Sequence, residues 1–285
     1  MHPTFFRAPL PRPVLFVAVL LIGPLAARAA TVTNCVAPLA YALTYARAAS
    51  APAKRSGADD LLDISGVGNG VTNLLNDGSR WVSQHWFTLR ANHGNRAAQY
   101  ELGVRDALGI GFSQNDAAAA QWFHLAAAQG DVRASNDRGV LYAEGRGVPQ
   151  SYRNAAHWFE LATRQGYAVA QFNLGVMFAR GRGVPQAPSL AAVWFRRAAE
   201  QDFVPAQLAL GNLLDHGAPG LGRNLPMAYF WQVLAKAALP AQDPRMTCLV
   251  PAMRASEARL SAGDIEDAQR AAESWWHYHL DMRKS

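Results

Sequence analysis

The chain has 285 residues, half of them hydrophobic, and a formal net charge of +6 at pH 7. Arg7, Arg12 and Arg28 supply three of these charges and no acid lies among residues 1–29, so residues 30–285 carry a net charge of +3 (6 − 3). No long basic run follows residue 29. Because binding to nucleic acid depends on clustered Lys and Arg that neutralise phosphates, this composition disfavours a nucleic-acid-binding protein.

Residues 1–29 predict a secretory signal peptide. Arg7 and Arg12 form a charged start, Val14–Leu25 is an apolar run, and Ala27–Ala29 has the small residues of a cleavage site. The apolar run is shorter than the ~20 residues that a membrane-spanning helix needs, which favours cleavage over anchoring. No cysteine lies at the cleavage site, so no lipid anchor is expected. We expect a periplasmic or secreted protein without stable membrane insertion after cleavage.

Residues 30–94 contain weaker patterns. Residues 30–60 predict an N-terminal segment with one short helix, followed by a linker at Ser50–Gly57. Residues 61–94 predict a degenerate first repeat, whose last part matches the second half of the units that follow. Gly66–Gly70 is rich in glycine but lacks the Lys-Ser/Thr ending of a phosphate-binding loop.

The sequence GRGVPQ occurs at Gly145–Gln150 and again at Gly181–Gln186, 36 residues later (181 − 145). A fixed period between 20 and 50 residues indicates a repeat architecture. Four units follow from this period, at residues 95–130, 131–166, 167–202 and 203–238. The residues that recur are alanines (Ala98, Ala134, Ala170, Ala206), glycines (Gly103, Gly139, Gly175, Gly211) and tryptophans (Trp86, Trp122, Trp158, Trp194).

Each unit predicts a hairpin of two alanine-rich helices joined by a Gly/Pro turn. In GRGVPQ, Gly145 ends the first helix in a left-handed conformation, Gly147 keeps the turn tight, and Pro149 prevents the first helix from continuing. Gly103 and its equivalents are expected to let the two helices approach closely, with the tryptophans packed beneath. The turn of the fourth unit has one extra residue, so Trp231 follows Trp194 by 37 positions (231 − 194).

One hairpin cannot bury its apolar stripe alone, whereas stacked hairpins can. The sequence therefore predicts an all-α fold, a right-handed α-solenoid of stacked helix–turn–helix repeats. Residues 239–285 are predicted to form C-terminal capping helices, the last of which begins near Ser261 and runs toward Trp276.

The repeated residues resemble the Sel-one-like repeat, a relative of the tetratricopeptide repeat, over about residues 81–238. Unit two supplies Ala134, Gly139, Tyr142, Gly145, Gly147, Val148, Ala155, Trp158, Ala162 and Gly166, and unit three supplies the matching positions from Ala170 to Ala199. Asp106 replaces the family's aromatic residue and Arg138 its leucine, so we expect weaker packing at these two points. The resemblance implies a scaffold or adaptor in envelope assembly, signalling or polysaccharide export.

Catalytic chemistry is not indicated. The chain has no Ser-x-x-Lys, Gly-x-Ser-x-Gly or His-Glu-x-x-His motif, so we predict a protein that is not an enzyme and uses no metal or cofactor. His277 and His279 would point to different sides of a helix, and His124 and His157 are expected at the surface.

Two cysteines, Cys35 and Cys248, lie near opposite ends of the predicted array. They could pair in an oxidising compartment or remain two thiols. A secreted, cysteine-rich branch of the Sel-one-like family carries a disulfide in each hairpin and is linked to penicillin binding and hydrolysis. This chain has no cysteine pair within a unit, so it matches that branch poorly.

A partner protein is predicted to bind a concave groove on the face of the first helices opposite the packed stripe. That face consists of Tyr100, Val104, Asn136, Val140, Phe172, Val176, Leu208 and Asn212. Its apolar character fits a groove for a peptide or helix, but it also fits burial between neighbouring first helices. Two other functions stay open: a cell-wall-related enzyme that binds or hydrolyses β-lactams, and a glycan-binding module with Trp81, Trp275 and Trp276 as stacking platforms.

Overall fold

The structure, a computed structural model, describes residues 86–110 and 113–282. These ranges form eleven helices and no strand. Residues 86–92 are helical and are called α1. The others are α2 (Arg96–Leu108), α3 (Asp116–Ala128), α4 (Val132–Glu144), α5 (Tyr152–Thr163), α6 (Ala168–Arg180), α7 (Pro188–Ala199), α8 (Val204–His216), α9 (Leu225–Ala238), α10 (Met246–Glu257) and α11 (Ala262–Met282).

The helices stack in chain order. The pairs α2/α3, α4/α5, α6/α7 and α8/α9 form hairpins, and the second helix of each pair also packs against the first helix of the next. Each of the two central core clusters takes residues from three consecutive helices, so neighbouring units share their core. The predicted all-α fold is confirmed, and it is a helical repeat solenoid. Beyond it, α10 and α11 pack against α9.

The predicted helix ends at Gly145 and Gly181 are confirmed. Both glycines have left-handed backbone angles, with φ of 71° and 64°, and their N–H groups donate to the carbonyls of Leu141 and Met177. At the other end of the hairpins, Asn95 and Asp131 cap α2 and α4 with their side chains, whereas α6 and α8 begin without a side-chain cap.

The second glycine of each GRGVPQ turn has a role beyond the turn itself. A Cβ atom on Gly147 would lie 2.1 Å from the carbonyl oxygen of Asp116, at the start of the second helix of the previous unit. Arg146 reinforces the same contact, because its guanidinium donates to the Asp116 carboxylate at 2.7 Å and to the Ala107 carbonyl at 3.3 Å. The turn therefore joins one unit to the unit before it.

The glycine in the middle of α2, α4 and α6 makes space for an aromatic ring. A Cβ atom on Gly139 would lie 2.6 Å from the ring of Phe159, which is fully buried. The same distance separates the equivalent pairs Gly103–Phe123 and Gly175–Phe195. The close approach of the helices was predicted, but the prediction that a tryptophan packs beneath the glycine was wrong for the first three units. There the phenylalanine that follows the tryptophan occupies the core, and Trp158 remains partly exposed.

Several predictions concern residues outside the described ranges. These are the signal peptide at residues 1–29, the segment at residues 30–60, most of the degenerate repeat at residues 61–94, and Cys35. Within the described ranges, no helix combines the length and the apolar composition that crossing a membrane requires.

Replacing the central glycine should affect the third and fourth units differently. In Gly175→Ala the new Cβ would overlap the Phe195 ring, and such overpacking costs about 1–3 kcal/mol. At Gly211 the nearest atom is 3.3 Å away, because Gln232 stands where the other units have phenylalanine. The higher helix propensity of alanine, about 1 kcal/mol, should then offset most of the cost of Gly211→Ala. Urea unfolding of both variants checks this, and equal losses of stability would contradict the assignment.

Candidate partner-binding surfaces

The eight residues predicted to line a groove lie on the first helices α2, α4, α6 and α8. Seven of them are buried, and Asn212 is partly exposed. Their neighbours account for the burial: the ring of Tyr100 lies 5.8 Å from that of Phe123, and the ring of Phe172 lies 5.6 Å from that of Phe195. The buried residues are Tyr100, Val104, Asn136, Val140, Phe172, Val176 and Leu208. The accessible groove expected at these positions is therefore corrected, since packing between helices covers them.

Part of this buried face is polar. The Tyr100 hydroxyl donates to the Asp137 carboxylate at 3.2 Å, and the Asn136 amide donates to its other oxygen at 2.9 Å. The Asn173 amide in turn donates to the Asn136 side-chain oxygen at 2.8 Å. These residues come from three successive units, so the network fixes how those units align. Burial, together with the charge of Asp137, raises the pKa of Tyr100 far above its ordinary value, which keeps the hydroxyl a donor.

Removing the donor of this network should destabilise the array. Tyr100→Phe keeps the ring but removes the hydroxyl that donates to the Asp137 carboxylate, and a hydrogen bond to a charged group contributes about 1.5–3 kcal/mol. Tyr278→Phe is the matched control, because Tyr278 is 63% exposed and should lose almost nothing. The midpoints of urea unfolding compare the two variants, and a Tyr100→Phe protein as stable as the control would rule out a structural role for this hydrogen bond.

The two departures from the Sel-one-like pattern both make polar contacts. Asp106 is buried beside Trp122, whose indole donates a hydrogen bond to it; burial nevertheless raises the pKa of Asp106. Arg138 lies over the ring of Trp158, with its guanidinium carbon 5.0 Å from the ring centroid, and donates to the Ala120 carbonyl. Burial and the charge of Arg138 lower the pKa of His124, which meets the same tryptophan edge-on.

The raised pKa of Asp106 predicts how stability depends on pH. Since the folded state binds the proton more tightly than the unfolded state, stability is lost as the pH rises from the unfolded pKa through the folded pKa. Asp106→Asn removes this loss, so it should raise the urea midpoint at pH 7. The gain should disappear near pH 3, below the ordinary aspartate pKa of about 3.9, where both proteins are neutral at this position. An equal gain in the urea midpoint at both pH values would mean that Asp106→Asn stabilises the protein through packing and not through the loss of a charge.

The other candidate residues are accounted for by packing. His279 stacks on Trp275 with ring centroids 4.2 Å apart, and its Nδ1 lies 2.9 Å from the Trp275 carbonyl oxygen. Trp275 and Trp276 are partly buried and pack against the C-terminal core cluster, while Trp81 lies outside the described ranges. Within those ranges, no group of three His, Cys, Asp or Glu residues is arranged to hold a metal ion.

The outer face, formed by the second helices, differs from unit to unit. On α7 the side chains of Leu190 and Val193 lie one turn apart and are each 46% exposed. The equivalent positions on α5 are Asn154 and His157, and on α3 they are Ala118 and Gln121. Among the described second helices of the four units, α7 alone exposes two large apolar side chains. Comparison of the units at the 36-residue period could have found this difference in the sequence.

α11 covers part of the outer face of the fourth unit, where Met227 remains 38% exposed. The ring of Trp275 lies 5.8 Å from that of Trp231 and 6.1 Å from that of Phe230, both on α9. Trp231 is consequently only 3% exposed, whereas its equivalents Trp158 and Trp194 remain partly exposed. A helix thus packs on the outer side of a repeat within this chain.

The sequence matches the model of the Sel1 repeat four times, over residues 96–131, 132–167, 168–203 and 204–235. Over these residues the chain is a Sel1-repeat protein. The family suggested by the sequence is confirmed. Sel1 repeats usually mediate protein–protein interaction, and their fold is typically non-catalytic. A search against curated protein sequences gave no match.

Two solved structures are similar. A protective antigen of uropathogenic Escherichia coli that displays an SLR fold is 29% identical with a TM-score of 0.60, covering 67% of this chain and 40% of the antigen. This chain therefore spans about two fifths of the antigen's length. A Sel1 repeat protein from Oxalobacter formigenes is 24% identical with a TM-score of 0.55, covering 72% of this chain and 85% of that protein, and at this identity it supports the fold alone.

Proposed function

We propose that this Sel1-repeat protein is an exported, non-enzymatic scaffold that binds another protein through the outer face of its repeats. The observation that carries the proposal is the apolar pair Leu190 and Val193, which α7 exposes on an otherwise regular array. Large exposed apolar side chains that lie together mark interaction surfaces more often than scattered ones do. The buried first-helix face cannot serve in the same way, because its side chains fill the core.

Export is the second part of the proposal. It rests on the charged start, the apolar run and the small-residue cleavage site of residues 1–29. A scaffold in the periplasm or outside the cell would serve processes of the envelope, such as assembly, signalling or polysaccharide export.

The proposal is tested in the cells that make the protein. We expect N-terminal sequencing of the protein from the periplasmic or secreted fraction to begin near residue 30. We expect chemical crosslinking there to attach one dominant partner. Leu190→Glu should reduce the crosslinked product on the order of tenfold, since a charge at the centre of an apolar contact costs well over 1 kcal/mol. Asn154→Glu, at the equivalent position of the second unit, should change nothing.

A folded and abundant protein that crosslinks to nothing above background would contradict the scaffold function. A protein that keeps residues 1–29 and stays in the cytoplasm would contradict export. The two results are independent, because a cytoplasmic scaffold would still show the effect of Leu190→Glu.

A further inference from the structure

We infer that the segment bound at the outer face of the third repeat is an amphipathic helix of the partner, apolar along one stripe and acidic beside it. This inference rests on the proposed scaffold function and names the class of partner segment. The way in which the chain covers its own fourth repeat carries the argument.

The fourth unit shows what this kind of surface binds. There α11 packs on α9, and the two positions that receive the Trp275 ring are Phe230 and Trp231. Their equivalents in the third unit, 37 residues earlier, are Val193 and Trp194. Both are apolar, and neither is fully buried. The third unit therefore repeats the contact surface of the fourth without a helix on it.

The second unit does not offer the same surface. Its equivalent residues are His157 and Trp158, and the ring of Trp158 has Arg138 over it and His124 at its edge. An arginine also lies over Trp194 of the third unit, so the units differ in the residues beside the ring: Leu190 and Val193 are apolar, whereas the equivalent Asn154 and His157 are polar. The docking surface is thus confined to one unit, and the second unit provides matched control positions.

The surface of the third unit also continues an existing interface. Trp275 and Trp276 of α11 pack against the core cluster that contains Ala191, Ala192 and Phe195 of α7. A helix on α7 would therefore lie over the same core cluster on which α11 packs.

Charge indicates the second property of the partner. Arg196 and Arg197 are exposed one turn beyond Val193, and Glu200 follows at the end of α7. The Arg197 guanidinium lies over Trp194, 4.8 Å from the ring centroid, so it borders the apolar surface directly. A helix that places acidic residues beside its apolar stripe would complement these arginines, as helix-in-groove recognition requires. A lipid surface fits less well, because the apolar area is one repeat wide and lies between the polar second unit and α11.

Site-specific photo-crosslinking tests the inference on the full chain in its native cells. Val193 is replaced by p-benzoylphenylalanine, and the attached segment is identified by mass spectrometry. We expect a protein segment with apolar residues at helical spacing and acidic residues beside them. The double variant Arg196→Glu/Arg197→Glu should lower the yield on the order of tenfold, while Arg164→Glu on the second unit should not. The same photo-reactive residue at Gln121 should give no such product.

The outcomes separate the inference from the scaffold function. A partner segment without apolar residues at helical spacing overturns the helix inference but not the scaffold function. A crosslinking yield that is unchanged in Arg196→Glu/Arg197→Glu does the same. An adduct with phospholipid overturns it in favour of a membrane surface. No adduct at position 193, with protein adducts at other surface positions, also overturns it alone. No protein adduct at any position, with circular dichroism showing a folded chain, overturns both.

Discussion

The contact between a glycine of the first helix and a phenylalanine ring of the second determines the geometry of the first three hairpins. A ring atom 2.6 Å from where a Cβ would stand makes any residue other than glycine costly at Gly103, Gly139 and Gly175. With the ring fully buried, the two helices approach closely enough to share a core with the next unit. The turn glycine Gly147 allows a similar close approach between units, because a Cβ there would overlap the backbone of Asp116 in the previous unit.

Such close packing has a consequence for function. First helices that share a core with both neighbours bury the side chains that a looser superhelix would present in a groove, as Val140 and Val176 show. In the interior of the array, the first helices form a hydrogen-bonded network around Asp137, and this network aligns the units. The proposed function therefore assigns recognition to the second helices, whose outer positions differ from unit to unit.

The sequence predicts the fold well because the fold depends on a 36-residue repeat and on the residues of the turn, and the two copies of GRGVPQ show both. The sequence also allowed phenylalanine to be considered as the core residue in place of tryptophan, since Phe159 recurs with the same period as Trp158. The burial of Tyr100 and Phe172 was not, because helical periodicity shows which residues share a face and does not show whether a neighbouring helix covers it. The polar network was not predicted either: the sequence placed Asn136 among the groove residues, and only the structure shows that Asn173 of the next unit donates to it.

The fourth unit differs from the others where α11 meets it. In the first and third units Gln99 and Gln171 accept hydrogen bonds from a glutamine 30 residues later, at 2.7 and 2.8 Å. The equivalent residue of the fourth unit, 37 positions after Gln201, is Ala238, and the Gln207 side-chain oxygen has no partner among the described residues. Burying Trp231 under Trp275 likewise leaves its indole N–H without a partner in that part of the chain. An unpaired buried polar group costs about 1–3 kcal/mol, so the apolar contact that α11 makes over Trp231 has to outweigh the loss at the indole N–H. Because α11 packs on the outer face despite this cost, the surface there provides substantial apolar contact. The third unit has the most similar surface, and no helix covers it.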